Sequence, residues 1–169
     1  MAFPARILIV EDEELLAANL KALLDRHASD VRIASDAKSA VELLQGFTPE
    51  LVVIDYALPG IDGLRAYQEI VRVSARRPAC VMISGYLTEL IAERVRRQGI
   101  KQMLCKPFSF ADLKQAILAT REDAVAGPLN SPLANRRLKE RRSKQIGTCS
   151  ANRRVQPTRR GAGNGRSSP

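Results

Sequence analysis

Residues 51–63 read LVVIDYALPGIDG: an apolar run over 51–54 that stops on Asp55 and enters a turn built on Pro59 and Gly60. An unbroken apolar, β-branched run of this length predicts a strand covered on both faces, as in parallel sheets. Two further runs share that character, ILIV at 7–10 and CVMI at 80–83, while VRIA at 31–34 is mixed and QMLC at 102–105 is weaker. Between the runs the apolar residues change to helical spacing. Leu16, Leu20, Leu23 and Leu24 form one stripe, and Ala37, Ala40, Val41 and Leu44 a second. Leu64, Tyr67, Ile70 and Val71 form a third, Ile91 and Val95 a fourth, and Leu113, Ala116 and Ile117 a fifth. Such stripes are what an amphipathic helix buries against a sheet. Breakers separate the elements at Gly46, Pro49, Pro59-Gly60, Pro78, Gly99 and Pro107. Five strands, each followed by a helix, predict an α/β, doubly wound parallel sheet with right-handed crossovers and helices on both faces.

The charge divides the chain at the same place as the periodicity. The 169 residues carry a formal net charge of +9. Residues 1–123 balance at −1, whereas 124–169 balance at +10 and contain a single acid, Glu140. Apolar periodicity also ends near Val125, where Gly, Pro, Ser and Asn take over. A segment of that composition buries too little apolar surface to offset its ordering entropy. The expected domains are therefore a folded unit at 1–123 and a basic, disordered tail at 124–169. No apolar run approaches the ~20 residues of a bilayer span, and the opening apolar stretch meets four acids at 11–14, unlike a secretory signal. Cys80, Cys105 and Cys149 are odd in number and without a C-x-x-C pair, which favours neither a disulfide framework nor zinc; the expected location is the cytoplasm. The lone histidine, His27, falls late in the first helical stripe, where a surface position is expected.

In a doubly wound sheet the ligand crevice lies at the carboxyl ends of the strands. Here those ends carry Glu11 and Asp12, Asp55, Ser84-Gly85, and Lys106-Pro107. Each has an ordinary explanation when taken singly: an acid can favour a helix N-terminus, a serine before glycine can make a turn, and a lysine can be one surface cation. Topology brings them to one edge, and there the combination has a chemistry. Crowded carboxylates repel unless a counter-charge joins them, and a hard divalent ion such as Mg²⁺ takes oxygen ligands of this kind. A carboxylate so placed can attack phosphorus, with an ammonium, a hydroxyl and backbone N–H groups neutralising the phosphoryl oxygens.

The motifs ILIVEDEE, LVVIDYALPGIDG, VMISGY and CKPF together resemble the receiver domain of two-component response regulators, over about residues 5–123. The resemblance implies a flavodoxin-like sheet of order 2-1-3-4-5. It implies that Asp55 takes a phosphoryl group from a phosphohistidine, and that Glu11, Asp12, Asp55 and the Ala57 carbonyl hold Mg²⁺. Lys106 and Ser84 would contact the phosphoryl group. The implied partners are a sensor histidine kinase or phosphotransfer protein, a downstream protein target, and a second copy on phosphorylation. Three features depart from the family. Met103 stands where the family usually has an aromatic, Tyr56 follows the acceptor, and Ala57 with the bulky Tyr86 flanks the phosphate. Since Ala57 has no side chain to orient an attacking water, slow autodephosphorylation is expected.

Other function classes fare less well. Neither G-x-x-x-x-G-K-[ST] nor G-x-G-x-x-G follows a strand, which argues against a nucleotide site. Phosphatases with an aspartyl-phosphate intermediate place a second Asp two residues after the nucleophile, and Ala57 occupies that position. The expectation is a self-phosphorylating phosphoacceptor, not a turnover enzyme. The alternative is a nucleic-acid-associated transcriptional regulator using the tail, whose arginine pairs suit weak, sequence-indifferent, salt-sensitive binding without aromatic stacking.

Overall fold

A computed structural model describes residues 3–125, with side chains through Arg121. The elements are β1 (Arg6–Val10), α1 (Glu14–Leu24), β2 (Asp30–Ala34), α2 (Ala37–Leu43), β3 (Leu51–Asp55), α3 (Gly63–Val73), β4 (Ala79–Ser84), α4 (Glu89–Arg97), β5 (Gln102–Cys105) and α5 (Phe110–Val125). The five strands form one parallel sheet in the order β2-β1-β3-β4-β5, the expected doubly wound arrangement. The tail reading, which concerns 124–169, falls almost wholly outside the described residues.

The sheet's two faces follow from the period of two along each strand. Leu8, Val10, Val52, Ile54, Cys80 and Met82 point to the side packed by Ala40, Leu64, Ala66, Tyr67, Ile70 and Val95 of α2, α3 and α4. Ile7, Ile9, Leu51, Val53, Val81 and Ile83 point to the side packed by Leu20 and Leu24 of α1 and Leu113 and Ile117 of α5. Since burial of each large aliphatic side chain stabilises by about 1.5–3 kcal/mol, these two cores account for most of the driving force. The outer strands explain the two weaker runs. Ile33 of β2 is 37% exposed, and all four residues of β5 are half-buried.

Side-chain caps start α2, α3 and α4 where the sequence turns. Asp36 accepts from the Ser39 amide at 2.8 Å while the Ser39 hydroxyl accepts from the Asp36 amide at 3.2 Å. Asp62 accepts from the Arg65 amide at 2.9 Å, and Thr88 from the Ile91 amide at 3.2 Å. Gly60, in the turn after β3, has φ +85°, a left-handed conformation that a Cβ would oppose. His27 is exposed as expected, with one unanticipated feature: its ring lies between Phe3 at 5.3 Å and Phe110 at 5.7 Å, centroid to centroid.

Candidate functional site

Register decides which residues reach the carboxyl edge. Val10 pairs with Ile54, Asp55 with Ile83, and Ser84 with Cys105, so β1, β3, β4 and β5 end nearly level. Glu11 and Lys106, the residues after β1 and β5, and Asp55 and Ser84, the last of β3 and β4, thus share one rim. The Glu11 amide donates to the Ala34 carbonyl at 3.1 Å, and the Lys106 amide to the Ser84 carbonyl at 2.8 Å. These bonds carry the strand ladder one residue into the loops and hold both side chains over the edge.

The centre of the site is an ion-pair triad. The Lys106 ammonium donates to both Glu11 oxygens, at 3.1 and 2.9 Å, and to Asp55 Oδ2. Glu11 and Asp55 are only 3% and 5% exposed, so neither charge has water to solvate it fully. Burial raises the Glu11 pKa and the neighbouring Asp55 charge adds to it, while the Lys106 hydrogen bond pulls the other way. For Lys106, burial alone would favour the neutral amine, but the bonds and charges of Asp55 and Glu11 outweigh it and hold the pKa above the ordinary lysine value. The remaining Asp55 oxygen, Oδ1, accepts from the Ala57 amide at 2.9 Å.

Among the described residues, Glu11, Asp12 and Asp55 can each turn one carboxylate oxygen inward so that all lie within 4.8 Å of one another. Asp12 is the exposed member, open to an ion from solvent. Three hard oxygen donors with an open side fit Mg²⁺, which keeps several waters and dislikes closed all-protein cages.

The sequence-derived candidates therefore separate by degree. Glu11, Asp12, Asp55 and Lys106 converge. Ser84 is buried on the same rim, but its hydroxyl is engaged locally, donating to the Tyr86 carbonyl at 2.9 Å and accepting from the Tyr86 amide at 3.2 Å. Ala57 contributes its amide, as above. Two participants were not singled out by sequence. A Cβ on Gly63 would fall 1.9 Å from the Asp55 carbonyl oxygen, so the close approach of α3 to β3 needs glycine; the signal was the final residue of LPGIDG. Arg94 of α4 reaches the Tyr56 hydroxyl at 2.9 Å and Asp62 Oδ2 at 3.2 Å, and no local pattern announces it.

A 2-1-3-4-5 sheet with an acidic rim facing a lysine defines a receiver-type domain. Residues 7–118 match the response regulator receiver domain, and the chain belongs to that family. It is 38% identical over 117 residues to the transcriptional regulatory protein PdtaR of Mycobacterium tuberculosis, covering 69% of this chain and 56% of that one. It is 34% identical over 104 residues to the Regulator of RpoS of Escherichia coli, covering 60% of this chain and 30% of that protein. The chain thus spans about half the length of the first of these relatives, and less of the second. The solved CheY-like receiver domain from Methanospirillum hungatei superposes with a TM-score of 0.64 at 23% identity, over 72% of this chain and 98% of that one, a likeness of fold. Among the described residues no helix is long and apolar enough to cross a membrane.

Proposed function

We propose that this chain is a phosphoacceptor of a two-component relay, in which Asp55 attacks the phosphorus of a phosphohistidine on a sensor kinase or phosphotransfer protein. The O–P bond to Asp55 forms as the N–P bond breaks, and the departing imidazole takes the electron pair. The observation that carries this reading is the Lys106 ammonium held between Glu11 and Asp55, two nearly buried carboxylates that lie 95 and 51 residues away in sequence. A structural ion pair has no need of a third carboxylate at its side, and Asp12 supplies one.

Glu11, Asp12, Asp55 and the Ala57 carbonyl would hold Mg²⁺, which when bound neutralises carboxylate and phosphoryl charge. Lys106 would turn from Asp55 to the new phosphoryl oxygens. The Ala57 amide, already bonded to Asp55, orients the attacking carboxylate. Ser84 would contact the phosphoryl group by giving up its bonds to Tyr86. A docking surface for the phosphodonor lies beside Lys106: a groove of about 330 Å³ between α1 and α5, lined by Leu16, Leu20, Pro107, Phe108 and Leu113 among others. We divide the chain into a receiver at 1–123 and a basic tail at 124–169, place it in the cytoplasm, and assign its output to protein contacts that include a phosphorylation-dependent homodimer. It acts once per phosphoryl group and is not a turnover enzyme.

The tail's balance of +10 favours a second reading, in which output includes nucleic acid. Removing 124–169 should then abolish a salt-sensitive, sequence-indifferent association, and undiminished binding by the truncated chain would overturn it. The central chemistry is tested by incubating the full chain with a small phosphodonor and Mg²⁺ and measuring its mass. Wild type should gain one phosphoryl group and Asp55→Asn none; equal labelling of both would refute the assignment.

A further inference from the structure

Tyr56, the residue after Asp55, is held at three points. Its amide donates to the Ile83 carbonyl at 2.7 Å, and its carbonyl accepts from the Gly63 amide at 2.7 Å. Its hydroxyl accepts from Arg94 Nη1 at 2.9 Å. The first bond ties it to the end of β4 and the second to the start of α3. The third crosses 38 residues of sequence to the middle of α4. The other arm of the same guanidinium, Arg94 Nη2, donates to Asp62 Oδ2 at 3.2 Å, while Asp62 Oδ1 caps α3 through the Arg65 amide at 2.9 Å. One side chain of α4 therefore grips both ends of the loop that leaves Asp55.

The remaining cations of α4 do nothing comparable. Arg96 pairs with Glu89 and Glu93, and Arg97 with Glu93, all within the helix. Apolar contact accompanies the grip, since Tyr56, Ile91 and Met103 pack against the same core cluster. Met103 carries no polar group that could bond to α4, whereas the Tyr56 hydroxyl does so.

We propose that Arg94 is a positioning residue that couples Asp55 to α4 through the Tyr56 hydroxyl and Asp62. The inference rests on the reading of Asp55 as phosphoacceptor. Phosphorylation puts new bulk and charge on the side chain next to Tyr56. The backbone pins to β4 and α3 leave the hydroxyl as the point at which that loop can yield. When it yields, the guanidinium loses one of its two acceptors and α4 keeps only its bond to Asp62. Conversely, a partner that seats on α4 and fixes Arg94 holds the loop, and by linkage alters the ease of phosphorylation by the same factor in free energy.

The test uses the full chain with a small phosphodonor and Mg²⁺, and reads two quantities: labelling rate by mass, and amide exchange across 89–97 before and after labelling. Tyr56→Phe keeps the ring and removes the hydroxyl; Arg94→Met keeps the stem and removes both bonds; Arg96→Met is the control within the helix. In wild type, labelling should raise exchange in α4 by roughly three- to tenfold, the size of one lost ordinary hydrogen bond, since the Arg94 contact is solvent-exposed. In Tyr56→Phe and Arg94→Met that exchange should already be raised before labelling and change little on it, while Arg96→Met should respond like wild type. The double variant should add nothing to Arg94→Met, because that substitution already removes the link that Tyr56→Phe breaks. The proposal is overturned if both variants keep the wild-type response of α4, or if Arg96→Met loses it equally. Failure to label wild type at Asp55 would instead refute the phosphoacceptor reading, which the mass measurement registers separately.

Discussion

Gly63 offers the most direct test of how the fold holds Asp55. A Cβ at this position would lie 1.9 Å from the Asp55 carbonyl oxygen, 2.8 Å from its carbonyl carbon and 2.9 Å from the Tyr56 Cα. All three are backbone atoms, so no rotamer change can relieve the clash. Ordinary carbon–oxygen contact needs roughly 3.4 Å, so α3 or the end of β3 must shift by about 1.5 Å along that line. That shift breaks the Gly63 amide bond to the Tyr56 carbonyl, now 2.7 Å. Overpacking typically costs about 1–3 kcal/mol and a lost buried hydrogen bond about 1 kcal/mol more, so Gly63→Ala should destabilise by about 2–4 kcal/mol. For a domain of this size that lowers the melting temperature by roughly 8–15 °C. The chemistry proposed for Asp55 should suffer too, because displacing a nucleophile by a fraction of an ångström lowers its rate by roughly tenfold or more. Thermal unfolding followed by circular dichroism, with the phosphodonor assay at a temperature where both proteins are folded, measures the two effects. Gly46→Ala is the control, since a Cβ there meets nothing within 4 Å and its φ is unremarkable. A Gly63→Ala protein that melts within about 2 °C of wild type and labels at the same rate would show that the contact does not position Asp55.

Four further outcomes are expected. Mg²⁺ at tenfold its dissociation constant should stabilise the chain by about 1.4 kcal/mol, a chelator should reverse this, and Asp12→Ala should abolish the shift without unfolding the protein; a melting temperature indifferent to Mg²⁺ would remove the metal assignment. Tyr67 donates its buried hydroxyl to the Pro78 carbonyl at 2.6 Å, so Tyr67→Phe should lower unfolding free energy by about 1–2 kcal/mol in urea with an unchanged slope. The Ser39 amide and hydroxyl hold the Asp36 carboxyl below the usual range, so its contribution to α2 is complete above the unfolded value and fades as pH falls through the lower folded one. The Ser39 amide resonance should accordingly titrate with a midpoint below that of an unperturbed aspartate, and a midpoint at or above the ordinary value would contradict the cap. Finally, Ala57→Asn should shorten the lifetime of the phosphorylated protein by placing an amide near the attacking water; rapid loss that the substitution leaves unaltered would count against slow autodephosphorylation.

The central strands were legible because β1, β3 and β4 are apolar on both faces, a pattern with few competing explanations. The outer strands spoke less clearly for a physical reason: Ile33 of β2 and the whole of β5 are not fully covered, so their positions do not require apolar residues throughout. The convergence of Glu11, Asp12, Asp55 and Lys106 was legible from topology alone, since a parallel sheet sends every strand's carboxyl end to the same edge. What the topology leaves open is which oxygen each nitrogen chooses. That Ser84 bonds to Tyr86, or that Arg94 spans Tyr56 and Asp62, depends on rotamers and on the placement of α4, neither of which has a periodic trace. The packing of His27 against Phe3 and Phe110 is hidden for the same reason, because the three rings come from segments far apart in the chain.

The ammonium seated between two sheltered acids is an internal counterweight. Because the protein carries a positive charge of its own at that spot, two like charges can be sheltered side by side at one edge of the sheet, partly offset from within the chain.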